Sequence, residues 1–324
     1  MIFDGHTDIF TDLTQQRLSG NTTSLLQDVH MKKMEKGQIS GGIFVVWPDP
    51  PFDQDPYQRT QEIIQTIRLE MNKNYDNIQW VKTPADIDAG LENNKFLLMI
   101  GFEGLGSIGT NIDRINEYYE LGGRHASLTW NDQNSLATGW SGDETRGLTD
   151  YGRQAIKRLE SLKMIVDVSH ANDKSFWDIA DIVTRPIIAS HSNCRALCSN
   201  HRNLTDDQLK FIQSTGGLVG LNAFKEFVDD DPNKQDLHHL ANHIDHMVEV
   251  MGIDHIVCGF DFCDFLATDT LGSFASEGLA ATIDFEDATR AHALLDELKD
   301  RGYSQIDIDK IAYKNYMRFL KELL

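Results

Sequence analysis

Short apolar runs rich in β-branched residues recur along the chain, and longer stretches with helical periodicity lie between them. The runs are IFDGHTD (2–8), SGGIFVVW (40–47), KFLLMIGFEG (95–104), RHASLTW (124–130), MIVDVSH (164–170), PIIASH (186–191), GLVGLN (217–222) and HIVCGFDF (255–262). Amphipathic patterns over 58–74, 111–122, 151–163, 174–183, 205–217 and 237–252 predict helices, several closing at a glycine. Thr205 is placed to cap one of them, with Asp206 and Asp207 in its first turn. Eight strands alternating with helices predict a (β/α)8 barrel, with an open doubly wound sheet as the alternative. Residues 285–302 and 304–324 read as extra C-terminal helices on the outside of one domain spanning 1–324. The connection 131–148 has no helical pattern, and a loop of that length is expected to be functional.

Composition fits this picture and narrows the function. With 324 residues, 40% of them hydrophobic and only 7 prolines, the chain can bury a large core. A formal charge of −20 would repel nucleic acid and anionic lipid, so neither is expected as a partner. No apolar run reaches the ~20 residues needed to span a bilayer, and Met1 leads straight into a strand, so a cytoplasmic protein away from membranes is expected. Cys194, Cys198, Cys258 and Cys263 lack zinc-finger spacing and read as reduced, packed thiols.

The first strand poses a chemical question. His6 and Asp8 stand two residues apart in an apolar run, so they project from the same face. Two good ligand types on a buried face are costly unless something binds them. Other strands repeat the pattern: Glu103 ends the third, His170 the fifth, His191 the sixth, and Asp261 lies near the end of the eighth. In a barrel these ends open on one face, where such folds carry out chemistry. Taken alone, His170 or His191 reads as a structural histidine and Glu103 as an ordinary loop acid, but the set reads as a metal site. Catalytic zinc usually takes three protein ligands, and five ligands supply three to each of two ions if Glu103 bridges. One ion then has His6, Asp8 and Glu103, and the other Glu103, His170 and His191. Two such ions share a hydroxide and polarise a carbonyl, which leaves Asp261 to accept and pass on a proton.

The segments DGHTD, GFEG, DVSH, ASHSN, HRNLTDD and GFDF resemble the signature segments of the membrane (renal) dipeptidase family, the M19 metallopeptidases. The resemblance runs in order through nearly the whole chain, and its most specific parts are the His-x-Asp start and two strand-end histidines 21 residues apart. It implies a barrel of the metal-dependent hydrolase type, two zinc ions per chain or another divalent metal in their place, and frequent homodimers. It also implies hydrolysis of dipeptides, including those with a D-residue at the C-terminal side. It assigns His6 and Asp8 to one zinc, Glu103 to the bridge, and His170 and His191 to the second. Asp261 matches the acid that contacts the bridging water, and Arg202 the arginine that holds the substrate carboxylate.

One position departs from the family. Where its members place a histidine that helps polarise the scissile carbonyl, SLTWND has Trp130. An indole N–H donates a hydrogen bond but shuttles no proton, so the role is vacant or passes to a neighbour, Asn131 or His125. Trp130 and Asn131 are therefore expected to line the substrate site, with Asn131 as the compensating oxyanion donor. Two alternatives remain open: a different binuclear metal amidohydrolase acting on N-acyl amino acids or lactones, and a non-catalytic metal-binding homologue.

Overall fold

The computed structural model describes residues 1–21, 23–275 and 280–324. The described residues form nine parallel strands: β1 (Ile2–Thr7), β2 (Ile39–Val46), β3 (Ile78–Trp80), β4 (Phe96–Phe102), β5 (Gly123–Ser127), β6 (Ile165–Asp167), β7 (Ile188–Ala189), β8 (Leu218–Leu221) and β9 (Ile256–Cys258). β1 pairs with both β2 and β9, and β2 pairs with β4, so eight strands close into a barrel in the order β1-β2-β4-β5-β6-β7-β8-β9. Closure excludes the open doubly wound sheet. All eight predicted strands are barrel strands, and β3 is an addition. It pairs with Phe96–Leu98, while β2 occupies the other edge of β4 along Leu97–Phe102.

Strand alternation divides the core. Ile43, Val45, Leu97, Met99, Ile165, Ile188, Leu218 and Val257 fill the barrel, while Phe44, Val46, Leu98, Ile100, Val166 and Val219 pack outward under the helices. This period-two separation is what a barrel buried on both faces demands. Helices Pro56–Asn72, Arg114–Leu121, Asp150–Ser161, Asp173–Ala180, Asp206–Ser214 and Leu237–Met251 match the predicted ones within a few residues. Thr205 caps its helix through a reciprocal capping box with Gln208. The C-terminal helix Asn315–Leu323 does more than cover the outside: Tyr316, Phe319 and Leu320 join the inner cluster, and the Tyr316 ring lies 4.9 Å from that of Phe3. Among the described residues, no helix is long and apolar enough to cross a membrane. The four cysteines are free and buried.

Two glycines make room at the end of the barrel where the strands finish. A Cβ at Gly220 or Gly259 would lie 1.8 Å from the carbonyl oxygen of Ser190. Only glycine lets β8 and β9 approach the turn that carries His191.

Candidate metal centre and active site

The strand ends bring six predicted residues together. His6 lies in β1 and Asp8 directly after it; Glu103 follows β4, His170 follows β6, His191 follows β7 and Asp261 follows β9. The Glu103 N–H donates to the Val46 carbonyl at 3.0 Å, which fixes the exit of β4 against β2. His170 and Asp261 have φ of 67° and 58°. Left-handed backbone at a non-glycine residue costs on the order of 1–3 kcal/mol and concentrates at functional sites. Both turns re-aim a side chain as its strand ends.

The geometry centres on Glu103. Its Oε2 lies 3.5 Å from His6 Nε2; its Oε1 lies 2.8 Å from His170 Nε2 and 3.4 Å from His191 Nε2. His6 Nε2 is also 3.5 Å from Asp8 Oδ2 and 3.8 Å from Asp261 Oδ1. The ligand atoms of His6, Glu103 and His191 lie within 4.8 Å of one another, as do those of His6, Asp8 and Asp261. His6, Asp8, Glu103, His170 and His191 are all buried. Glu103 thus turns one oxygen to each half of the cluster.

Hydrogen bonds around the two strand-end histidines fix their protons. The Ser190 hydroxyl donates to Asp167 Oδ2, so its oxygen must accept at 2.7 Å from His191 Nδ1–H. Trp140 Nε1 and His170 Nδ1 lie 2.6 and 2.8 Å from Asn131 Oδ1. An indole can only donate, so the Asn131 atom facing it is the oxygen, and His170 carries its proton on Nδ1. Both Nε2 atoms are then bare lone pairs, 2.9 Å apart and beside Glu103 Oε1. Burial holds His170 down to about 4 and His191 well below its ordinary value, so neither takes a proton to relieve the contact. Three electron-pair donors converging without a hydrogen between them repel unless a cation sits among them.

On the other half of the cluster, burial would lower His6, but Glu103 and Asp8 raise it well above the ordinary imidazole range. Neither His6 ring nitrogen nor Asp8 Oδ1 has a hydrogen-bond partner among the described residues. A proton on His6 therefore supplies positive charge in a ring of carboxylates. Burial works to raise Glu103, yet His6 and His170 keep it well below the usual carboxylate range. Buried groups left without partners in this way fit divalent-metal ligands, and the mixed nitrogen and oxygen donors suit zinc, manganese or iron.

The remaining expected residues occupy varied positions. Burial, with the charges of Asp8 and Glu103 adding to it, pushes Asp261 up to about 7 against His6 and Arg202. Its Oδ2 accepts from Asn222 Nδ2 at 3.2 Å. Arg202 is buried and lowered to about 10 by burial; its Nη1 donates to Ser192 Oγ at 2.7 Å and its Nη2 to the His191 carbonyl at 2.9 Å, while Nε has no partner among the described residues. Asn131 lines the cleft; its carbonyl oxygen is committed to His170 and Trp140, so it supports His170, and its amide N–H is the end that the expected oxyanion donor would use. His125 is buried and donates to Asp167 Oδ2 at 2.7 Å, inside the barrel. Trp130 packs on Trp47, with ring centroids 5.1 Å apart, in the wall of the cleft.

Several participants were not singled out by sequence. Asp167 and Ser190 stand inside the segments DVSH and ASH, where only the histidines drew notice. Asn222 ends β8 as His191 ends β7, and that position was the available signal. Trp140, in the 131–148 loop, lines the cleft and donates from its Nε1 to Asn131 Oδ1.

Comparison with known proteins places the chain in a family and a fold. The family model of membrane dipeptidase, peptidase family M19, matches residues 1–323. A Klebsiella pneumoniae relative, an uncharacterized protein in the pqqA 5′ region, is 35% identical over 248 residues, which cover 74% of this chain and 86% of that one. The crystal structure of the dipeptidase AC, a metallopeptidase of family M19, superposes with a TM-score of 0.87 at 25% identity over 99% of this chain and 98% of the other. A metallopeptidase from Rhodobacter sphaeroides, liganded with a phosphinate mimic of the dipeptide L-Ala-D-Ala, has the same fold, with a TM-score of 0.86 at 23% identity over 100% of this chain and 99% of that one. With the fold shared over its whole length and the family model matched to its last residue but one, the chain belongs to the membrane dipeptidase family, peptidase family M19.

Proposed function

We propose that the protein is a metal-dependent dipeptidase whose centre holds two divalent ions, zinc in the simplest case. His6, Asp8 and Glu103 would hold one ion, and Glu103, His170 and His191 the other. The observation that carries this reading is the convergence of two unprotonated Nε2 atoms on Glu103 Oε1, at 2.8 and 3.4 Å. When bound, such ions supply a Lewis acid for the scissile carbonyl and make a water acidic enough to react near neutral pH.

The chain's own residues supply the rest. Asp261, raised to about 7, is tuned to take the proton of the attacking water and return it to the leaving amine. Asn222 holds the carboxylate of Asp261 in place. Arg202 lies beneath this region with Nε still open to accept a partner, which suits it to pair with the C-terminal carboxylate of a dipeptide. Asn131 and Ser190 keep the two histidines in the tautomer whose Nε2 is free, the support that metal ligands generally need. Asn131, which lines the cleft, is the chain's own candidate donor to the developing oxyanion through its amide N–H. Dipeptides with a D-residue at the C-terminal side belong to the proposed substrate range.

Two measurements test the proposal together. Elemental analysis should give roughly two metals per chain for the wild type, fewer at both sites for Glu103→Gln, and the loss of mainly one for His170→Ala. Full occupancy in Glu103→Gln would remove the bridge. The zinc-loaded enzyme should cleave L,L and L,D dipeptides faster than N-acyl amino acids or lactones; the reverse order would favour a different amidohydrolase, and no turnover with full metal content a non-catalytic homologue.

A further inference from the structure

The cleft above the metal-ligand cluster has an unusual wall. Trp47, Trp130 and Phe274 contact one another, with centroid separations of 5.1, 5.9 and 5.9 Å. Phe224 extends the surface from Phe274 at 6.1 Å, and Phe227 continues it from Phe224 at 4.7 Å. All five rings line one cleft. They come from segments far apart in sequence: the ends of β2 and β5, the turn after β8 and the stretch after β9.

The charges on the lining are one-sided. Asp8, Glu103, Asp261 and Glu226 face the cleft, and among the described residues no lysine or arginine lines it. Arg202 lies underneath, with both Nη atoms bonded within the barrel mouth. The ions and Arg202 are needed for the groups that every dipeptide shares, its carbonyl and its terminal carboxylate. Among the described residues nothing cationic is left on the wall to meet an acidic side chain, which would enter beside Glu226 and five aromatic faces with its charge desolvated and no cation to pair with. An apolar or aromatic side chain would instead bury its surface against these rings, of which Phe274 meets Trp47 and Trp130 edge to face.

We infer that the enzyme is selective for dipeptides with a large apolar or aromatic side chain and rejects those with an acidic one, and that Trp130 and Phe274 set this preference. The inference rests on the dipeptidase reading for its reaction. It also gives Trp130 a role: where the family's histidine would offer a polar edge, the indole completes the apolar wall between Trp47 and Phe274.

The test uses two matched series, Xaa-Gly and Gly-Xaa, with Xaa as Phe, Leu, Gly or Asp. Turnover is measured with the zinc-loaded wild type, and binding by calorimetry with zinc-loaded Asp261→Asn. In at least one series, kcat/KM for Phe and Leu should exceed that for Asp by more than about tenfold, the size of effect that a pocket contact of one or two carbons supports. Trp130→Ala and Phe274→Ala should each shrink that ratio to within about threefold of unity. Equal handling of Phe and Asp, or a ratio untouched in both variants, overturns the inference while leaving the dipeptidase reading intact. If no dipeptide is cleaved but Asp261→Asn binds the Phe and Leu members selectively, the dipeptidase reading falls and the selectivity stands. If neither turnover nor selective binding is seen, both fall.

Discussion

Ser190→Ala isolates the support of one histidine from the histidine itself. The hydroxyl lies at 0% exposure, so water has no access to replace it. Its loss removes the donor to Asp167 and the acceptor of His191 Nδ1–H at 2.7 Å. Asp167 still accepts from His125 Nε2 at 2.7 Å, from the Ser169 N–H at 2.8 Å and from the Ser190 N–H at 3.2 Å. The carboxylate is therefore not orphaned, and the stability cost should sit near the low end for a lost buried hydrogen bond, about 1–2 kcal/mol. His191 has no such reserve. Its imidazole can move the proton to Nε2, which faces Glu103 and His170, and that tautomer cannot bind a cation. Losing an outer partner of a metal ligand typically weakens binding by about 10–100-fold, or roughly 1.4–2.7 kcal/mol. Urea unfolding of the metal-free protein reads the first effect, and competition with a chromogenic chelator reads the second. A chelator curve within about threefold of wild type, with the protein folded, would refute the tautomer argument.

Four further outcomes follow from the geometry. Asn131→Ala removes the acceptor of His170 Nδ1 and Trp140 Nε1, so it should weaken metal retention by roughly tenfold as well as slow turnover; unchanged metal affinity would return Asn131 to a purely substrate-facing role. Trp130→His should not raise dipeptide turnover, because an imidazole leaves a gap between Trp47 and Phe274; a markedly faster variant would contradict this. Arg202→Met should reduce kcat/KM for free dipeptides far more than for their C-terminal amides, and equal losses would take Arg202 out of the substrate site. His243 is fully buried, accepting from the Cys194 N–H at 3.0 Å and lying 2.8 Å from the Val228 carbonyl, and burial lowers it to about 4. The unfolded chain then binds the proton first, so this residue's contribution is complete above about pH 6.5 and is lost as the pH falls towards 4, about 3 kcal/mol in all. Urea midpoints taken near pH 7 and near pH 5 should differ less in His243→Gln than in wild type, and an identical acid response would exclude His243 as its source.

What the sequence determined was periodic or local. Short apolar runs located all eight barrel strands, and the two-residue spacing of His6 and Asp8 put both on one face before any contact was known. Polar residues ending apolar runs marked Glu103, His170, His191 and Asp261, because an ionisable group at the end of a buried strand is costly without a function. Signals failed where periodicity was weak. Helix Ile9–Leu18 buries Thr11 and Thr14, with the Thr14 hydroxyl bonded to the Phe10 carbonyl and to Thr66, so its inner face does not look apolar. β3 is three residues long, too short to alternate visibly.

Tertiary structure decided what depends on barrel closure. Stagger between strands sets which oxygen of Glu103 meets which histidine, and no spacing along the chain encodes a distance across the barrel mouth. The same holds for Ser190 between Asp167 and His191, for Asn222 against Asp261, and for the amide of Asn131, whose orientation is fixed by a tryptophan nine residues away in its own loop. The aromatic wall is the extreme case. Trp47, Trp130, Phe224 and Phe274 follow four different strands, and apart from Trp130, which the departure from the family marked, each looks like an ordinary core residue in its own segment. Only the closed barrel turns them towards one cleft, because side-chain direction at a strand end is set by the turn that follows and by the neighbours packed against it.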